Sequence, residues 1–179
     1  MRINRDLYCL NNWFPCSYKF FVEYSFATNA VKLNWFDMHF AIQKGVFSPR
    51  SAVEHALHEI ECRTNIEKSE NELMLLYFDE FQDHLIHPYI DELADGISNN
   101  DKEISPYKLM YVMLKWIYEN KDDFDNPFCL AEDIYSSYFC PPSIEKFAGF
   151  GAANVTGRAR EKLFEEWANY IKTESLLWL

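Results

Sequence analysis

Residues 105–127 read Ser105-Pro106-Tyr107-Lys108-Leu109-Met110-Tyr111-Val112-Met113-Leu114-Lys115-Trp116-Ile117-Tyr118-Glu119-Asn120-Lys121-Asp122-Asp123-Phe124-Asp125-Asn126-Pro127. Leu109, Val112, Met113, Trp116 and Ile117 repeat at three- and four-residue steps, which puts them on one face of a helix. The stretch is framed by Ser105-Pro106 and Asn126-Pro127. In each, a side chain able to cap a helix precedes a proline, whose missing N–H costs nothing at a first helical position. Ser48-Pro49 repeats the signal. Asn34 with Asp37, and Ser69 with Glu72, place an acceptor three residues before a carboxylate, the spacing of a capping box. These signals predict helices near 35–44, 49–63, 70–84, 106–120, 127–138 and 158–174, with a shorter one at 88–95 closed by Gly96. The polar link Ser98-Asn99-Asn100-Asp101 reads as a short connection between antiparallel neighbours.

The opening of the chain is different. Tyr18, Phe20, Val22, Tyr24 and Phe26 alternate with Ser17, Lys19, Phe21, Glu23 and Ser25, a period of two that suits a strand pairing with 7–14 as a hairpin. The same aromatic content also fits a helix interrupted at Pro15. The expected fold is therefore mainly α: a single-domain bundle of about six to seven helices, with room for a short N-terminal β-hairpin. Residues 1–179 read as one domain, divided into an aromatic segment 1–32, a helical core 33–148, and a Gly-containing connection with the C-terminal helix at 149–179.

Charge limits the function. The 179 residues carry 28 acidic and 17 basic side chains, a net charge of -11, with a pI near 4.9. Attraction to phosphate backbones or anionic lipid is unfavourable for such a chain, so neither nucleic acid nor a membrane is an expected partner. Cys9, Cys16, Cys62, Cys129 and Cys140 are odd in number and contain no Cys-x-x-Cys pair, which predicts free, buried thiols in a reducing compartment. The N-terminus lacks the apolar core of a signal peptide, and no apolar run approaches membrane-spanning length. A cytoplasmic protein is expected.

The constellations that build active sites are missing. Glu80, His84, His87 and Asp91 would align as metal ligands on one continuous helix, but Pro88 interrupts it. His55, His58, Glu59 and Cys62 form a second stripe, which reads as the polar flank of its helix with a buried thiol. Gly149-Phe150-Gly151 lacks the strand that a dinucleotide loop requires and reads as a flexible connection. Arg158, Arg160 and Lys162 read as a solvated face paired with Glu161, Glu165 and Glu166. No cofactor, metal or catalytic residue is expected.

Carboxylates do gather, at Asp79, Glu80 and Asp83, and again at Asp122, Asp123 and Asp125 ahead of Glu132 and Asp133. Near Phe78, Phe81, Phe124, Tyr135 and Tyr138 they form candidate partner-binding surfaces, charge steering a basic partner and aromatics holding it.

Two blocks carry a resemblance. Leu33-Asn34-Trp35-Phe36-Asp37 with Ala41-Ile42, Gly45, Ser48, Ala52 and Ala56 forms the first. Lys115-Trp116-Ile117-Tyr118-Glu119-Asn120 with Phe124-Asp125-Asn126-Pro127, Glu132-Asp133-Ile134-Tyr135, Phe139 and Pro142 forms the second. Over 33–142 the chain resembles an uncharacterised bacterial helical family whose members occur beside polymorphic toxins as immunity proteins, and it departs from that pattern after Pro142. The resemblance implies a protein similar to the immunity proteins of contact-dependent growth inhibition. Such a protein binds a cognate toxin domain, here a basic RNase or DNase, as a 1:1 complex and occludes it without catalysis. The competing expectations are a small helical metal-dependent hydrolase using His84 and His87, and an acidic regulator of another basic protein.

Overall fold

The computed structural model describes residues 21–62, 68–75 and 83–178. Among them there are nine α-helices and no strand: α1 Tyr24–Ala30, α2 Trp35–Gln43, α3 Ser51–Cys62, α4 Lys68–Leu75, α5 His87–Asp95, α6 Asn99–Glu119, α7 Pro127–Ser137, α8 Glu145–Ala148 and α9 Gly157–Trp178. Seven of these answer the helices predicted from spacing. The two extra ones, α1 and α8, are short.

α1 overturns part of the strand reading. Val22 is still extended, its N–H donating to the Val46 carbonyl at 2.9 Å. From Tyr24 onward the buried residues are Tyr24, Ala27 and Ala30, a three-residue step that only a helix can turn inward. The remainder of the predicted hairpin, at 7–20, lies outside the described residues.

The capping signals hold unevenly. At α2 the box closes as predicted, with Asp37 N–H donating to Asn34 Oδ1 at 2.9 Å and Asn34 N–H to Asp37 Oδ2 at 2.8 Å. Asn126 caps α7, accepting from Phe128 N–H. Ser48-Pro49 is followed by a turn, and α3 starts at Ser51, whose N–H donates to the Ser48 carbonyl. Ser69 does not cap α4; it lies within the helix and donates to Glu92 at 2.5 Å.

Ser105-Pro106 is not a start at all. α6 begins at the expected connection, where Ser98 accepts from Asp101 N–H, and Pro106 falls inside the helix. A proline there removes one backbone hydrogen bond. Burial compensates: Ser105 and Pro106 are both buried, and the Ser105 hydroxyl donates to Asp37 Oδ1 on α2.

Asp37 thus serves two helices. Besides closing the α2 cap, its carboxylate accepts from Lys108 Nζ at 2.5 Å, and the same ammonium donates to the Lys32 carbonyl at 3.0 Å. Only 4 % of the Asp37 side chain is exposed.

α6 lies at the centre. It packs against α1, α2, α7 and α9, and Leu109, Met110, Tyr111, Val112, Met113, Leu114 and Ile117 are all buried, so it is apolar on more than the single predicted face. Trp116 is its half-buried edge, its indole donating to Glu23 at 3.0 Å. A second aromatic knot surrounds the fully buried Trp167 of α9. Its ring stacks on Phe147 at 5.1 Å and meets Phe128 at 5.6 Å and Tyr118 at 5.7 Å. α7, α8 and α9 converge there.

Candidate functional site

The acidic cluster predicted at 122–125 sits on a well-formed surface. Asp122 and Asp123 lie in a 3-10 turn, Lys121–Asp123, directly after α6. Phe124 turns inward and meets Trp116 in an edge-on pair with ring centres 6.0 Å apart, while Asp122, Asp123 and Asp125 stay exposed. The second cluster is less fully described: Asp79 and Glu80 lie outside the described residues, and Asp83 opens the 3-10 turn Asp83–Ile86.

The aromatics expected beside these acids are mostly core. Tyr135 and Tyr138 are buried and Phe124 is half-buried, so none is a free anchor, while Phe78 and Phe81 lie outside the described residues. Tyr135 is drawn in because the buried residues of α7 include Pro127, Phe128, Leu130, Ala131, Ile134 and Tyr135, a wide apolar face between α6 and α8.

Two other rings take the exposed place. Phe150 is 77 % exposed and Phe139 61 %. Phe139 and Cys140 follow the end of α7 with φ of 57° and 55°, the left-handed conformation that usually falls to glycine after a helix. Phe150 stands between two glycines that have structural work: Gly151 has φ 94°, and a Cβ on Gly149 would lie 2.5 Å from the Glu145 carbonyl.

The segment 149–154 is not the flexible connection predicted from its glycines. Gly151 N–H donates to Glu132 Oε1, Asn126 Nδ2 donates to the Ala153 carbonyl at 2.8 Å, and Ala152–Asn154 forms a 3-10 turn. The Phe150 ring meets the buried Tyr135 edge-on at 5.5 Å. Asn126 therefore joins the acidic turn to the segment that displays Phe150. Sequence reasoning missed Phe150 because glycine content signalled mobility; the sequence signal was a phenylalanine held between two glycines.

The predicted basic face also changes. The Arg160 guanidinium lies over the Phe128 ring at 4.9 Å and the Phe164 ring at 5.7 Å, a packed cation–π arrangement. Arg158 and Lys162 are exposed, and Glu166 pairs instead with Lys146 at 3.7 Å.

A second concave region lies between α1, α3 and the end of α9, a cleft of about 530 Å³. Here the stripe on α3 divides. His55 is buried, its Nδ1 2.9 Å from the Tyr24 hydroxyl. Its ring lies edge-on to Trp35 at 4.5 Å, and the Trp35 indole donates to the buried Glu70 at 2.8 Å. Burial, assisted by Glu59, Glu54 and Cys62, pushes the Tyr24 phenol well above its ordinary range, so that hydroxyl keeps its proton. His58, Glu59 and Cys62 line the open cleft, with the Cys62 thiol 3.9 Å from His58 Nε2. The buried-thiol expectation fails here because Cys62 is exposed; Cys129 and Cys140 are half-buried.

The other histidine set separates too. His84 and His87 are exposed, the first in the 3-10 turn and the second opening α5, whereas Asp91 pairs across helices with His39 Nε2 at 3.1 Å. Glu80 lies outside the described residues. Among the described residues no group of three histidine, cysteine, aspartate or glutamate side chains is placed to hold a metal ion, and none of the helices is long and apolar enough to cross a membrane.

No curated protein and no solved structure matches the chain. A family model does match, over residues 24–175, which runs from the first residue of α1 into the last turns of α9. The matched unit is thus the helical assembly just described, and the chain belongs to the family described as an uncharacterized protein conserved in bacteria (DUF2247).

Proposed function

We propose that this protein acts by binding and covering a basic partner, as an immunity protein that neutralises a nuclease toxin domain of a contact-dependent growth inhibition or related polymorphic-toxin system. The observation that carries this reading is the display of Phe150, 77 % exposed, on a segment fastened to α7 and joined through Asn126 to the turn that exposes Asp122, Asp123 and Asp125. Carboxylates steer a cationic cleft into contact and set the on-rate. An aromatic ring that is already held in place loses little conformational freedom on docking and then lengthens residence. The net charge of -11 supplies the long-range attraction. The complex would be 1:1, in the cytoplasm, and would consume no substrate.

The test is titration of the protein with the basic nuclease domain encoded beside its gene, at low and high salt. Phe150→Ala is expected to weaken binding by about 30-fold, equivalent to about 2 kcal/mol for an interface anchor, mainly through faster dissociation. Asp122, Asp123 and Asp125 changed together to alanine are expected to slow association and flatten its salt dependence. If neither variant changes the titration, Asp79, Glu80 and Asp83 are the residues to change next. Failure of any basic protein to bind at low salt would remove the reading altogether.

A further inference from the structure

We propose that the cleft between α1, α3 and the end of α9 binds a thiophilic metal cation through Cys62 Sγ and His58 Nε2. This goes beyond the partner-binding reading and rests on different residues.

The geometry begins with the helix. Residues four apart on α3 lie one above the other, which places His58 and Cys62 side by side with Sγ and Nε2 3.9 Å apart. With metal–sulfur bonds of about 2.3 Å and metal–nitrogen bonds of about 2.0–2.1 Å, one ion holding both atoms separates them by about 3.6 Å at the tetrahedral angle and by about 4.4 Å when they lie in line. The observed separation falls between these limits, so one ion can bridge the pair without movement of the helix.

The imidazole presents Nε2 to the thiol, and the Glu59 carboxylate lies 4.0 Å from Nδ1, beyond hydrogen-bond reach. His58 and Cys62 are both exposed at the cleft, so an ion can enter without local unfolding. Thiolate with imidazole is a soft donor set that selects zinc or cuprous ions over magnesium or calcium. Two protein donors are fewer than a closed structural site uses, which agrees with the lack of a three-residue group among the described residues. The remaining positions would go to water or to a ligand in the cleft. Binding converts the Cys62 thiol to a thiolate: a sulfur–metal bond forms, the S–H bond breaks, and the proton leaves to solvent.

The decisive experiment uses cobalt(II) as the probe, because a thiolate–cobalt bond produces its own charge-transfer absorption, with zinc added afterwards as competitor. The expected result is one cobalt per chain with that absorption, bleached by stoichiometric zinc. Cys62→Ser should abolish the band, and His58→Ala should weaken binding. Cys129→Ser and Cys140→Ser should leave the band unchanged. His58 and Cys62 are exposed and Cys129 and Cys140 half-buried, and helicity measured by circular dichroism confirms that each variant is folded. Lack of the band in the folded protein overturns the proposal. So does a band that survives Cys62→Ser, or cobalt uptake of equal affinity in wild type and Cys62→Ser, which would mean an adventitious ion only.

Discussion

Asp37→Ala is expected to lower folding stability by about 3–5 kcal/mol, the cost of removing one partner from a buried ion pair. The carboxylate closes the α2 cap, receives the Ser105 hydroxyl and pairs with Lys108. Its loss therefore leaves a largely buried ammonium with the Lys32 carbonyl, a Ser105 hydroxyl reduced to the Asp101 carbonyl as partner, and an open helix end. Against a typical total of about 5–15 kcal/mol, that is a large fraction. Urea unfolding of wild type and variant gives the difference directly. The companion Lys108→Met separates two explanations: if the pair dominates, Asp37→Ala with Lys108→Met together should cost less than the two single changes added. A single-variant loss below about 1 kcal/mol would mean that the pair is offset by its own desolvation.

Trp167→Ala should be comparably damaging, about 3–5 kcal/mol, through lost burial and the cavity left behind. Trp167 is fully buried where α7, α8 and α9 meet, against Phe147, Phe128 and Tyr118. Its indole N–H has no hydrogen-bond partner among the described residues, so the side chain contributes by packing alone. Trp167→Phe should then retain much of the stability, and the three thermal midpoints would rank wild type, Phe and Ala in that order. Equal losses for Phe and Ala would show that the indole makes a polar interaction after all.

What could be seen beforehand follows a physical line. Helices were legible wherever local spacing and a local cap agreed, as at Asn34 with Asp37 and at Asn126-Pro127. Pro106 misled because the Ser105 beside it is held by a residue 68 positions from that serine, the Asp37 carboxylate that accepts its hydroxyl. No local rule contains that contact. α1 was blurred for a related reason, since alternating aromatics satisfy a period of two until burial shows which ones turn inward. The candidate surface was half legible: Asp122, Asp123 and Asp125 are exposed as expected, but the aromatics thought to accompany them are spent on the core. Phe150 takes their place because Glu132 and Asn126 hold its segment still, again through partners distant in sequence. Charge composition could suggest a basic partner, yet only the folded chain shows that the segment exposing Phe150 is tied to the acidic turn.

The position of α6 has a consequence for how the molecule comes apart. α2, α3, α4 and α5 pack among themselves on one side, α7, α8 and α9 on the other, and α6 contacts members of both groups. Either group can loosen while the other still shields α6, so its backbone amides become free to exchange with solvent deuterium only when both have opened. The amides of Leu109–Ile117 should be the slowest to exchange in the protein, with the two flanking groups forming separate, faster steps. The same helix that organises the core is then also its last reserve of order.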